Sequence, residues 1–295
     1  MSPISYIPKR APRYERRLLR GIDTHLTWWG SGSEPPIVCL HGWVDTGATF
    51  QFLVDALGQE RTIVALDWRG FGRSQWQQTP YWFPDYLADL DVLLDMVSPS
   101  QAVTLIGHSM GGNVACLYAG IRPERVSHLI NLEGLGSQNV PPESAPTRYR
   151  QWLDELAQQP SFSVFDSIER FSDVLRRKNR RLTAERADFI AHCWSRTLPD
   201  GRYTVNADPA HKWINPVGYR RADAEACWRQ VTARVLCIFG EESSELAAFK
   251  AGAVLDYYRA QFPAAQLEML TDAGHMMHHE QPEKVAALID AFLGS

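Results

Sequence analysis

This chain lacks the marks of several large function classes. No apolar run is long enough to cross a bilayer as a helix. Residues 1–20 carry Lys9, Arg10, Arg13, Arg16, Arg17 and Arg20 but not the apolar segment of a signal peptide. Basic charge is not in excess: 30 Lys and Arg stand against 34 Asp and Glu, a net charge of −4. No global positive field therefore argues for a nucleic-acid partner. Cysteine is scarce, and Cys39, Cys116, Cys193, Cys227 and Cys237 are scattered without metal-ligand spacing. They read as buried, reduced thiols of a cytoplasmic protein. Internal repeats, low-complexity segments and a phosphate-binding glycine pattern are missing too. The sequence implies no metal and no organic cofactor, and nothing in it sets an oligomeric state.

What is present suffices for a large core, because 45% of the 295 residues are hydrophobic. After a Pro-rich basic arm (1–13), residues 14–20 and 24–29 flank Gly21-Ile22-Asp23 and predict a hairpin. A short, continuous apolar run at 36–40 predicts a strand buried on both faces, 62–66 the next buried strand, and 102–106 and 126–132 two further strands. Helix-compatible stretches at 49–57, 84–97 and 113–120 separate them. This alternation predicts a mainly parallel sheet covered by helices on both sides. The rhythm breaks over 137–228, where amphipathic stretches near 149–157, 167–175 and 183–193 replace the strands. It resumes with strands at 234–239 and 266–270 and helices at 249–262 and 282–293. The expected organisation is a core of 1–136 and 229–295 with a helical cap at 137–228, inserted before the last two strands. A cap placed there covers the carboxyl ends of the strands, where such sheets bind ligands.

The chemistry centres on Gly107-His108-Ser109-Met110-Gly111, between a buried strand and a helix. A serine in such a turn projects its hydroxyl from the top of a sheet, and glycines on both sides let strand and helix approach. A serine hydroxyl needs a base, usually histidine. Of nine histidines, His275 in Asp272-Ala273-Gly274-His275 follows the last strand and faces the same edge. His278 and His279 are expected at the surface, at the start of a helix. His41 and His108, at strand ends, are expected to shape the substrate pocket by hydrogen bonding rather than to act as bases.

His41-Gly42-Trp43, Asp67-Trp68-Arg69-Gly70-Phe71-Gly72-Arg73-Ser74, the serine turn through Gly112, and Asp272–His275 occur in this order. Together they resemble the α/β-hydrolase superfamily over nearly all the chain except the cap. The resemblance implies an eight-stranded, mainly parallel sheet with Ser109 as nucleophile and His275 as base. The N–H groups of Met110 and Trp43 would form the oxyanion hole. Most members carry the triad acid after the strand here at 234–239, in a G-x-x-D pattern. This chain has Gly240-Glu241-Glu242-Ser243, with serine at the aspartate position. Glu133, in Asn131-Leu132-Glu133-Gly134 at the end of the neighbouring strand, is the preferred acid, with Glu242 and Glu241 as alternatives. A minority of the superfamily, including some haloalkane dehalogenases and serine-hydrolase-like proteins, looks similar in this placement. His41 to Asp45 with Phe50 also resembles the latter group. Asp67 is expected to be scaffold.

A serine at 109 argues against dehalogenase and epoxide hydrolase chemistry, which in this fold needs a carboxylate nucleophile. The expectation is hydrolysis of a small-molecule ester or thioester through an acyl-enzyme. Trp82 and Trp213 are candidate pocket residues, among Tyr81, Phe83, Trp152, Phe162, Phe165, Trp194 and Trp228. Rings there would make an apolar acyl pocket or hold the cap onto the core. The basic run Arg176–Arg181 is either a solvated helix end or a dock for an acidic acyl carrier or coenzyme A. Two other readings stay open: a non-catalytic binding protein, and a C–C bond hydrolase using the same triad.

Overall fold

Runs of Ile, Val and Leu build the centre of the sheet, as their β-branched or apolar side chains favour a strand packed on both faces. The computed structural model describes residues 5–77, 79–248 and 253–294. The strands β1 (Arg13–Leu19) and β2 (Ile22–Trp29) form an antiparallel hairpin. It turns through Arg20 and Gly21, both at positive φ. Then follow β3 (Ile37–Leu40), α1 (Gln51–Ala56), β4 (Ile63–Leu66), α2 (Phe83–Val97), β5 (Val103–His108), α3 (Met110–Ile121) and β6 (Val126–Leu132).

The chain then leaves the sheet. It forms α4 (Ala145–Leu156), β7 (Val164–Phe165), α5 (Ile168–Lys178), α6 (Ala184–Trp194), β8 (Ser195–Thr197), β9 (Tyr203–Val205) and α7 (Arg221–Trp228). It returns as β10 (Arg234–Gly240), α8 (Ala253–Gln261), β11 (Gln266–Leu270), α9 (Met277–Glu280) and α10 (Pro282–Gly294). Residues 249–252, the start of the expected helix at 249–262, lie outside the described residues.

The main sheet has eight strands in the order β1-β2-β4-β3-β5-β6-β10-β11. Its pairs from β4 to β11 are parallel, and β2 joins β4 antiparallel. Alternation sorts the side chains. Val38, Leu40 and Leu105 face a cluster with α2, α3 and α8, while Ile37, Cys39 and Ile106 face one with α1 and α10. Among the described residues no helix is long and apolar enough to cross a membrane, and all five cysteines are free.

The segment between β6 and β10 is not purely helical as expected. It includes an antiparallel sheet, β7-β9-β8, whose strands of two or three residues are too short to leave a period in the sequence. Aromatic stacking fastens it to the core. The His211 ring lies between those of Phe71 and Tyr81, 3.8 and 3.6 Å away, and the Tyr81 hydroxyl donates to Asp208 Oδ2 at 2.8 Å. Burial in this stack pushes the His211 imidazole down to about 3, so the ring is a neutral spacer at ordinary pH. Helices α5 and α6 add a separate apolar cluster that closes over Phe52 of α1.

Candidate active site

One residue turns β5 into α3. Ser109 has φ 51° and ψ −115°, a sparsely populated conformation that persists only where its surroundings fix it. Two hydrogen bonds do so: Ser109 N–H donates to the Leu132 carbonyl at 2.9 Å, and Asn113 N–H donates to the Ser109 carbonyl at 2.9 Å. A Cβ on Gly107 would lie 2.5 Å from the Gly111 carbonyl oxygen, so this turn requires glycine there. Met110 opens α3, and the first N–H groups of a helix have no partner within it.

The loop after β3 lies against this turn. A Cβ on Gly42 would sit 3.2 Å from Ser109 Cβ and 2.9 Å from His108 Nδ1. His41 anchors the loop: its Nδ1 donates to the Gly42 carbonyl at 2.7 Å and its Nε2 accepts from Trp68 N–H at 2.9 Å. The next residue, Trp43, is half-exposed, with its ring 6.4 Å from Phe162. Asp67 accepts from Gly47 N–H and Arg73 N–H at 2.7 and 2.9 Å and pairs with His25. These are scaffold contacts.

Below the turn, His275 Nδ1 donates to Glu133 Oε2 at 2.7 Å. Glu133 is the first residue beyond β6, with φ 51°, and is 1% exposed. Such a carboxylate must have its lone pairs filled. Gly240 N–H donates to Oε1 at 2.6 Å, and the Ser243 hydroxyl donates to Oε2 at 2.6 Å. The serine at the expected aspartate position therefore hydrogen-bonds the glutamate that meets the histidine. Glu241 and Glu242 are exposed, Glu242 pairs with Arg181, and among the described residues neither hydrogen-bonds His275.

Ser243 and the Gly240 N–H were not singled out by sequence reasoning; the irregular Gly240–Ser243 motif was the available signal. Ser243→Ala removes one donor from the carboxylate but leaves Gly240. The expected outcome is a fall in kcat of about 10-fold with KM unchanged, read by steady-state kinetics.

The histidines nearby differ from expectation. His41 and His108 are buried and line no part of the cavity described below. His108 Nε2 donates to the His275 carbonyl at 2.9 Å, and burial holds its imidazole well below the ordinary value, so it positions His275 as a neutral ring. His278 and His279, expected at the surface, are 0% and 1% exposed. A helix of four residues, α9, carries them inward against Phe50 and Phe52. Its shortness leaves no period from which to read the buried face.

A cavity of about 680 Å³ opens onto His275. Leu175, Leu182, Ile190, Trp194 and Met276 give it apolar wall. Trp82 and Trp213 do not line it. Trp82 caps the start of α2, and Trp213 is turned to the Gln158 carbonyl. Trp228 is core, packed on Tyr258. The basic run is not simply a solvated helix end: Arg177, Lys178, Arg180 and Arg181 all border the cavity. Arg181 is paired with Glu242. Among the described residues no carboxylate stands within ion-pair distance of the other three.

Comparison with known proteins places the fold among others of its kind. The chain is 26% identical over 278 residues to a serine hydrolase-like protein of Danio rerio, covering 90% of this chain and 83% of that protein. It is 27% identical over 299 residues to epoxide hydrolase 4 of Mus musculus, covering 92% and 77%. In structure it is similar to the thioesterase domain from the curacin biosynthetic pathway. The TM-score is 0.84 at 24% identity, over 97% of this chain and all of that one, a likeness of fold. A family model described as alpha/beta hydrolase fold matches residues 35–282. On the sheet order, the strained serine turn and this match, the chain belongs to the alpha/beta hydrolase fold family.

Proposed function

We propose that this protein is a serine hydrolase that cleaves an ester or thioester with a Ser109–His275–Glu133 triad. The observation that carries the reading is the 2.7 Å hydrogen bond from His275 Nδ1 to a buried glutamate, beside a serine held in a strained turn. With Nδ1 donating, Nε2 is left as the acceptor. The Ser109 hydroxyl attacks the substrate carbonyl as its proton passes to His275 Nε2. The oxyanion is met by the Met110 and Trp43 N–H groups. His275 then gives the proton to the departing alkoxide or thiolate. Water attacks the acyl-enzyme, its proton passing to His275 and then to Ser109 as the acid leaves. The Glu133 carboxylate steadies the imidazolium.

The core spans 1–136 and 229–295, and 137–228 act as the cap that shapes the acyl site. The cavity's wall includes His275 but not Ser109, and its Leu175, Leu182, Ile190 and Trp194 support an apolar acyl group held beside the base. The cations bordering the same cavity favour a leaving group that carries phosphate, as in coenzyme A or an acyl-carrier protein.

A fluorophosphonate probe, followed by an ester and thioester panel of graded chain length, tests the reading. The expected result is one adduct on Ser109, and higher kcat/KM for coenzyme A thioesters than for uncharged esters of the same acyl group. An untouched Ser109 in folded protein overturns hydrolysis in favour of a binding protein. Adduct formation without turnover of the panel points instead to C–C bond substrates.

A further inference from the structure

We propose that Asp45, His278 and His279 form a divalent-cation site, with Zn²⁺ as the ion that fits it. The three residues are 2%, 0% and 1% exposed. Asp45 Oδ2, His278 Nε2 and His279 Nε2 are buried and have no hydrogen-bond partner. Buried polar atoms left unpaired are uncommon, and here three converge. Oδ2 lies 3.6 Å from His278 Nε2 and 3.7 Å from His279 Nε2, too far for hydrogen bonds. Two ligand atoms at about 2.1 Å from a shared tetrahedral zinc stand about 3.4 Å apart, so small shifts suffice. One ligand atom from each residue can be chosen so that all three lie within 4.8 Å of one another.

The carboxylate is already oriented. Its other oxygen, Oδ1, accepts from Thr46 N–H, the Thr49 hydroxyl and Trp194 Nε1–H at 2.7, 2.6 and 2.7 Å. Such outer bonds fix a metal ligand's direction and leave Oδ2 facing the imidazoles. Two imidazoles and one carboxylate suit zinc, whereas calcium and magnesium prefer all-oxygen sets. The cavity supplies the way in, since His279 and Trp194 form part of its wall.

The position gives the ion a task. Asp45 lies two residues beyond Trp43, and His278 three beyond His275. A bound cation ties the loop after β3, which packs on Ser109 through Gly42, to α9, which directly follows the loop carrying His275. Binding does not depend on the hydrolase reading and is measured apart from turnover.

The full-length chain, stripped with chelator, is titrated with Zn²⁺ by calorimetry and with Co²⁺ by visible absorption. The expected result is one equivalent per chain, with cobalt d–d bands and no thiolate charge-transfer band. Zinc at a hundredfold excess over Kd raises Tm by about 5 °C. Asp45→Asn and His279→Gln, each checked by near-UV circular dichroism, weaken binding by about 100-fold or more, and Cys193→Ser leaves it unchanged. No cobalt spectrum, a thiolate band, or an undiminished zinc response in folded His279→Gln overturns the proposal. The wild-type cobalt titration decides it even if both ligand variants fail to fold.

Discussion

Glu133→Gln lowers kcat by about 10⁴-fold with little change in KM: this is the expected result of removing one negative charge beneath His275. The amide is nearly isosteric, so the fold survives. Its oxygen still accepts from Gly240 N–H, the bond that Oε1 makes at 2.6 Å. Its nitrogen then occupies the position of Oε2, which accepts from both His275 Nδ1 and the Ser243 hydroxyl. An amide nitrogen donates, so His275 must turn Nδ1 into an acceptor and carry its proton on Nε2. In that tautomer the imidazole cannot take the Ser109 proton. Ser243 can rotate its hydroxyl to accept, which leaves the histidine as the group that loses. The same change at Glu242, exposed and paired with Arg181, leaves kcat unchanged. If Glu242→Gln is the variant that loses turnover, Glu133 is not the acid. Steady-state kinetics on the best substrate of the panel, with circular dichroism for folding, decides between them.

Ser109→Ala produces the other large effect, a loss of about 10⁵- to 10⁶-fold in kcat. The residual rate comes from the oxyanion donors and substrate positioning. The substitution keeps the backbone bonds from Ser109 to Leu132 and from Asn113 to Ser109, so the elbow is preserved and substrate binding is retained. The variant therefore binds an intact ester or thioester with a Kd close to the wild-type KM when acylation is slow. Full turnover by Ser109→Ala, or a probe adduct on another residue, would place the nucleophile elsewhere.

Much of this was readable in the sequence because the fold is built from local signals. The runs ending at Leu40, Leu66, Ile106 and Leu132 are short and mostly apolar, and alternate with helical periods. The serine turn is defined by a steric demand that Gly107 alone can meet among side-chain choices. Glu133 was reachable as a replacement acid because Ser243 stands where an aspartate was expected. That these two side chains touch was not legible, since 110 positions separate them and only the pairing of β6 with β10 brings them together.

Other features escaped for want of length. Strands of two or three residues, such as β7 and β8, carry no alternation. The helix α9 turns His278 and His279 inward, although a His-His pair beside a Glu looks solvent-facing. Trp82 and Trp213 were plausible pocket rings by composition. Which tryptophan reaches the cavity depends on how the segment between β6 and β10 folds back, and it is Trp194. Arg176–Lys178 of the basic run close α5, the helix-end part of what the charge pattern offers. That the run borders the same cavity as His275 follows from the tertiary path of the segment between β6 and β10 alone.

The adjacency of β5 and β6 has a mechanical meaning. Their pairing runs from Thr104 opposite His128 to His108 opposite Leu132, and Ser109 N–H extends it by one bond to Leu132. Ser109 and Glu133 are thus each the first residue past one of two hydrogen-bonded strands, so in the proposed triad the spacing of nucleophile and acid is set by backbone register. In a hydrolase whose acid hangs from the loop after β10, any change in that loop's length moves the acid. Here the end of β10 gives Glu133 the Gly240 N–H, and the loop after it gives the Ser243 hydroxyl. In the proposed triad, a change of length in the loop just beyond Ser243 therefore leaves the acid where β6 puts it.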